Sequence, residues 1–185
     1  MKLWSYCGAI VCLLLSTKLI NAQINCVNDT AGVYPCNQIN LQGQLTLSEL
    51  GATGDGNDIW GWTDPTTGKE YALVGLYYGT ALPTNSSNSS WRDIKVVDNY
   101  AYIVSEASNH GMQVFDLMRL RNISNPPVTF TDDGVLSFGS IQRAHNIVAN
   151  EEAGFVYLVG TRSYGNGGIT TVDISDPSNP SVISN

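Results

Sequence analysis

The sequence predicts an all-β chain, a partial β-propeller of about two and a half to three four-stranded antiparallel blades, and three observations predict it. Residues 144–180 hold three short runs rich in β-branched and aromatic residues, at 146–149, 155–159 and 169–174. Asn, Gly and Glu turns separate them, and Asp176-Pro177-Ser178-Asn179-Pro180 closes the unit. The same order recurs upstream, in Arg92-Asp93-Ile94-Lys95-Val96, Ala101-Tyr102-Ile103-Val104 and Met112-Gln113-Val114-Phe115-Asp116-Leu117, with Asn125-Pro126-Pro127 as the closing turn. Beyond the N-terminal apolar run, no stretch has helical periodicity; residues 116–121 could make one short turn.

A third, earlier copy opens with Asn57-Asp58-Ile59-Trp60 and continues with Tyr71-Ala72-Leu73-Val74-Gly75. After Gly79-Thr80-Ala81 it passes to Leu82-Pro83-Thr84, so its third strand and closing Asp-Pro turn are missing. Matched points at Val74, Val104 and Val159 are 30 and 55 residues apart. The spacing is unequal because the first copy is short and the second carries extra residues. A blade cannot bury both faces alone, which makes neighbouring copies one unit.

Residues 1–22 read as a secretory signal: Lys2 is the positive start, residues 8–15 the apolar core, and Ala22 the small residue before cleavage. A membrane anchor is the competing reading, but Ser16, Thr17 and Lys18 end the run short of the roughly 20 apolar residues a spanning helix needs. The mature chain is therefore expected to be secreted, with no membrane span. Cleavage removes two lysines and takes the formal charge from −7 to −9. Nucleic acid is excluded as a partner, because phosphate neutralisation needs clustered Lys and Arg.

Residues 23–51 form a lead segment without clear period, in which 42–50 contains an alternating run that could pair as an edge strand. Cleavage also removes Cys7 and Cys12, leaving Cys26 and Cys36 as an even pair in an oxidising compartment, read as a disulfide. A zinc site there would need two further ligands nearby. Sequons at Asn28, Asn85, Asn88 and Asn122 lie in polar connections, as N-glycosylation of a secreted protein requires.

Blades occupy residues 52–185. The Gly54-Asp55-Gly56-Asn57-Asp58 stretch resembles a calcium loop but lacks the closing Glu, so a tight glycine turn competes with that reading. Asp64-Pro65-Thr66-Thr67-Gly68-Lys69 has the composition of a hairpin turn.

Several strings carry a family likeness: residues 56–65, Ser90-Trp91-Arg92-Asp93-Ile94-Lys95, Ser105-Glu106-Ala107, His110-Gly111-Met112-Gln113-Val114-Phe115-Asp116-Leu117, Ala144-His145-Asn146 and Val172-Asp173-Ile174-Ser175-Asp176-Pro177. Together they resemble the choice-of-anchor B family, extracellular proteins built from LVIVD-type propeller repeats. The resemblance implies a secreted or surface propeller and no established activity. The short first copy and the stop at Asn185 depart from the family pattern. Either the sequence is a fragment of a longer protein, or open blade edges make the chain self-associate.

Each copy begins its first strand with a polar pair before isoleucine: Asn57-Asp58, Arg92-Asp93 and His145-Asn146. First strands of blades lie innermost, so these side chains would gather at one channel mouth. Asp58, Asp93, His145 and Asn146 are thus candidates for a ligand or divalent-metal site, calcium or zinc. Alternatively they bond neighbouring amides and fix turns. Glu106 and His110 could form a general acid/base pair, although no nucleophile elbow, phosphate loop or HExxH accompanies them. Trp60, Trp62 and Trp91 suit either sugar stacking or packing between blades.

The functional expectation is a secreted, non-catalytic glycoprotein binding an extracellular protein or glycan, in a matrix for example. The alternative is an extracellular hydrolase or lyase with a metal or acid/base site at the channel mouth.

Overall fold

A computed structural model describes residues 23–52, 54–77, 81–84, 86–130, 141–162 and 167–184. The signal-like segment and Asn85 lie outside them. The chain divides after Leu45 into two compact units.

Strands β1 (Thr30–Ala31) and β2 (Tyr34–Pro35) pair antiparallel across a turn in which Gly32 has φ +65°. The expected disulfide joins Cys26 to Cys36. Around it, the Cys36 amide donates to Asp29 O, the Cys26 amide to Asn40 Oδ1, and Ile24 bridges Leu41. So little apolar surface is buried here that the covalent link must restrict the unfolded chain. Reduction is expected to raise hydrogen exchange at the Cys36 and Leu41 amides by about 30-fold, equivalent to about 2 kcal/mol; unchanged exchange would show the loop holds itself.

The second unit is all-β apart from one 3-10 turn among its described residues. Its three antiparallel sheets are β3 (Gly56–Thr63) with β4 (Glu70–Leu76), β5 (Arg92–Val97) through β6 (Tyr100–Ser105) to β7 (Met112–Asp116), and β8 (Asn146–Asn150) through β9 (Phe155–Val159) and β10 (Ile169–Asp173) to β11 (Ser181–Ser184). This is a partial β-propeller whose strand count rises from two to three to four. The four-stranded blade is reached by the third copy, where β11 follows the Asp176-Pro177 turn. Residues 42–50 do not pair. Thr46 and Glu49 instead form a reciprocal box, with Glu49 Oε2 accepting from the Thr46 amide (2.8 Å) and Thr46 Oγ1 from the Glu49 amide (3.2 Å). The alternation of Leu45 and Leu47 hid a capping signal.

Turn chemistry explains the register. The β3–β4 hairpin closes on Asp64, whose Oδ1 accepts from the Thr66 amide and Oδ2 from Thr67 Oγ1. Two residues link β5 to β6, with Asp98 at φ +52°. At Gly54, in the glycine turn before β3, a Cβ would lie 2.8 Å from Tyr77 Cβ, so the turn needs glycine for packing. The short turn expected at 116–121 is the 3-10 turn Leu117–Leu120, with Asp116 as its N-cap.

Strand β6 reads as a nearly continuous apolar run because both faces of the middle sheet are covered. One face sets Tyr102, Val104, Met112 and Val114 against Ile147, Val156, Leu158 and Val172 of the third sheet. The opposite face sets Val96, Ala101 and Phe115 against Trp62 of the first. These two cores stack the sheets, so that β3, β5 and β8 become neighbours.

Candidate functional site

The polar pairs that open β3, β5 and β8 meet where these strands adjoin. Asp58 Oδ2 accepts from the Ile94 amide at 2.8 Å, and Asp93 Oδ2 accepts from the Ile147 amide at 2.9 Å. The carboxylate of one blade thus takes the amide of the isoleucine that follows the equivalent position in the next blade. Asn57 Oδ1 adds a bond from the Arg92 amide (2.8 Å), and Asn146 Nδ2 donates to Asp93 (3.1 Å). Asn57, Asp58 and Asp93 thus accept from backbone amides, in a form the sequence did not suggest. The amides belong to the neighbouring blade rather than to the residues' own turns.

Asp93 is 6% exposed and also meets Lys95 Nζ, which donates to Ile94 O (3.0 Å) and lies 4.4 Å from the Trp60 ring centroid. Burial alone would raise the Asp93 pKa; the bonds from Lys95, the Ile147 amide and Asn146 outweigh it and hold the carboxyl below its usual range. Sequence reasoning overlooked Lys95, although its period-2 relation to Asp93 placed both on one face of the strand.

Glu106 and His110 do not form the expected pair. Glu106 Oε1 lies 2.6 Å from Nδ1 of His145, and His145 stacks at 5.8 Å on Trp91, which is 56% exposed. Ser105 Oγ and the Glu106 amide both donate to Trp91 O, fixing that residue. His145 is fixed by its amide bond to Val159 O, and Gly160 leaves the space beside it, since a Cβ there would come within 3.1 Å of His145 Cβ. Trp91, Glu106 and His145 form an exposed cluster on two adjacent blades. Trp62 is buried between blades and Trp60 lies against Lys95.

His110 is instead fully buried, with Nδ1 3.0 Å from Ser86 Oγ and 3.4 Å from Thr84 Oγ1. Burial, and then the nearby Arg92 guanidinium, press its pKa down to about 4 against a backbone bond at Ile103. In the third copy Thr161, which matches Glu106 when Val159 is aligned with Val104, is buried and bonded to Thr170 Oγ1 at 2.9 Å.

A second buried ion pair escaped the sequence altogether. Asp64 receives Arg121 Nε at 2.9 Å on Oδ2 and Arg121 Nη2 on Oδ1, clamping the first hairpin to the turn after β7. The Arg121 bonds are the main reason the Asp64 carboxyl lies far below its usual range. Among the described residues, no three His, Cys, Asp or Glu side chains group closely enough to hold a metal ion. Nor is any described helix long and apolar enough to cross a membrane.

Stacked antiparallel sheets, carboxylate bridges between first strands and repeated closing turns define a β-propeller-like repeat protein. The family model described as the LVIVD repeat matches residues 90–127 and 163–185, so the chain is similar to that repeat across β5–β7 and across β10–β11. No curated protein and no solved structure matches the chain.

Proposed function

We propose that the chain acts as a secreted, non-catalytic glycoprotein of choice-of-anchor B type whose propeller binds an extracellular glycan through Trp91, His145 and Glu106. The exposed Trp91 face, beside an imidazole and a carboxylate, carries this reading. A large aromatic surface with few conformers suits the apolar face of a sugar, and the polar pair suits its hydroxyls. Secretion is supported by the signal-like first residues and by the Cys26–Cys36 disulfide. Glycosylation is supported by the exposure of Asn28, Asn88 and Asn122.

The test is a glycan array probed with protein secreted from a eukaryotic host, followed by Trp91→Ala. The substitution is expected to weaken the best glycan by about 30-fold, the scale of an aromatic anchor worth about 2 kcal/mol. Binding that survives Trp91→Ala, or binding to a protein partner alone, would remove the glycan reading. The 2.6 Å Glu106–His145 contact favours one alternative, an acid/base enzyme. Stoichiometric metal or substrate turnover abolished by His145→Ala would establish it.

A further inference from the structure

Arg92 presents a physical problem that the recognition surface does not address. It opens β5, is 7% exposed, and donates through Nε to Leu76 O at 2.9 Å, while its Nη2 is buried without a hydrogen-bond partner. The described ion pairs are Asp93–Lys95, Asp64–Arg121 and Glu106–His145, and none supplies Arg92 with a carboxylate. A guanidinium keeps its charge under protein conditions, so burial without an anion is unfavourable and selects for one. Desolvation accordingly presses the Arg92 pKa downward.

The same side chain lines a partly open cavity of about 280 Å³ between the first and second sheets. Its walls are otherwise mostly apolar, among them Tyr71, Leu73, Ile94, Ile103, Phe115 and Phe130, with Gln113 as a second polar group. The Gln113 side-chain amide already donates to Pro83 O at 2.9 Å. All residues from Tyr71 to Leu76 of β4 line the cavity, a run of about 17 Å at about 3.4 Å per residue. An elongated apolar slot with one cation in its wall is the complement of an amphiphile with an anionic head.

We propose that this cavity binds a small amphipathic carboxylate, its apolar body lying along β4 and its head paired with the Arg92 guanidinium. A charge-assisted bond to the guanidinium offsets its buried charge, and the apolar lining supplies the remaining affinity. The site is separate from Trp91 and stands or falls independently of glycan recognition.

The proposal is tested by titrating the full chain with octanoate and with 1-octanol, which share a chain length and differ in the charge of the head. Octanoate is expected to bind saturably and at least ten-fold more tightly. Arg92→Gln should abolish that preference, and Ala101→Leu, which adds bulk to the cavity lining, should reduce binding of both compounds. Equal affinities for the two compounds on the unmodified protein, or no saturable binding, would overturn the proposal without any variant. So would an octanoate preference retained in folded Arg92→Gln.

Discussion

Asp93→Ala is expected to destabilise the second unit by about 3–5 kcal/mol, the cost of breaking one side of a buried charged network. One carboxylate accepts from the Ile147 amide, the Asn146 side chain and Lys95. Alanine leaves all three donors behind, and Lys95 becomes a half-buried cation without its anion. Asp93→Asn keeps an acceptor for the Ile147 amide and should cost less. Asp58→Ala, which releases the Ile94 amide alone among the amides bonded here, should cost about 1–3 kcal/mol. Urea titration at neutral pH orders the three variants. A loss below about 0.5 kcal/mol for Asp93→Ala would show that apolar packing alone joins the second and third blades.

The pH dependence of that network has a definite sign. The Asp93 carboxyl is held below its ordinary value of 3.8, so the native state binds fewer protons than the unfolded chain. Its contribution is complete above that value and disappears as pH falls through the folded pKa. Asp64 behaves in the same direction.

The blades were legible because both middle-sheet faces are buried, which turns β6 into an apolar run, with the turn pair Asp98-Asn99 setting it off from β5. Recurrence of a polar residue before Ile59, Ile94 and Ile147 was legible too. The target of those residues was not: Asp58 reaches an amide 36 residues away and Asp93 one 54 residues away, distances at which no local spacing rule acts. The two histidines show the same limit. Glu106 stands four positions before His110 in the sequence, yet the strand end turns His110 inward and the third blade delivers His145 to the carboxylate. Arg121 and Asp64, 57 residues apart, meet only because the first hairpin packs beside the turn after β7. Locally, Thr46 and Glu49 did carry a readable capping box, obscured by leucines whose spacing also suits a strand.

His110 yields the second large effect, in a pH range the carboxylates do not reach. Enclosed by Ser86, Thr84 and the Arg92 guanidinium, its imidazole is held to a pKa of about 4 where an unfolded histidine has 6.5. Between those values the unfolded chain binds a proton that the native state refuses, so stability rises with pH. The contribution is complete above 6.5 and is lost as pH falls to about 4. The difference in pKa corresponds to about 3 kcal/mol, and the slope from one proton cannot exceed about 1.4 kcal/mol per pH unit. Urea unfolding at intervals from pH 7 to pH 4 should therefore show a steady decline in the unmodified protein and in His145→Gln. His110→Gln should flatten it, whatever that substitution does to stability at neutral pH, because the slope counts protons and the level counts contacts. An unchanged slope in His110→Gln would mean that the imidazole takes up its proton within the fold, and that Arg92 does not confront it as the packing of the first and second blades requires.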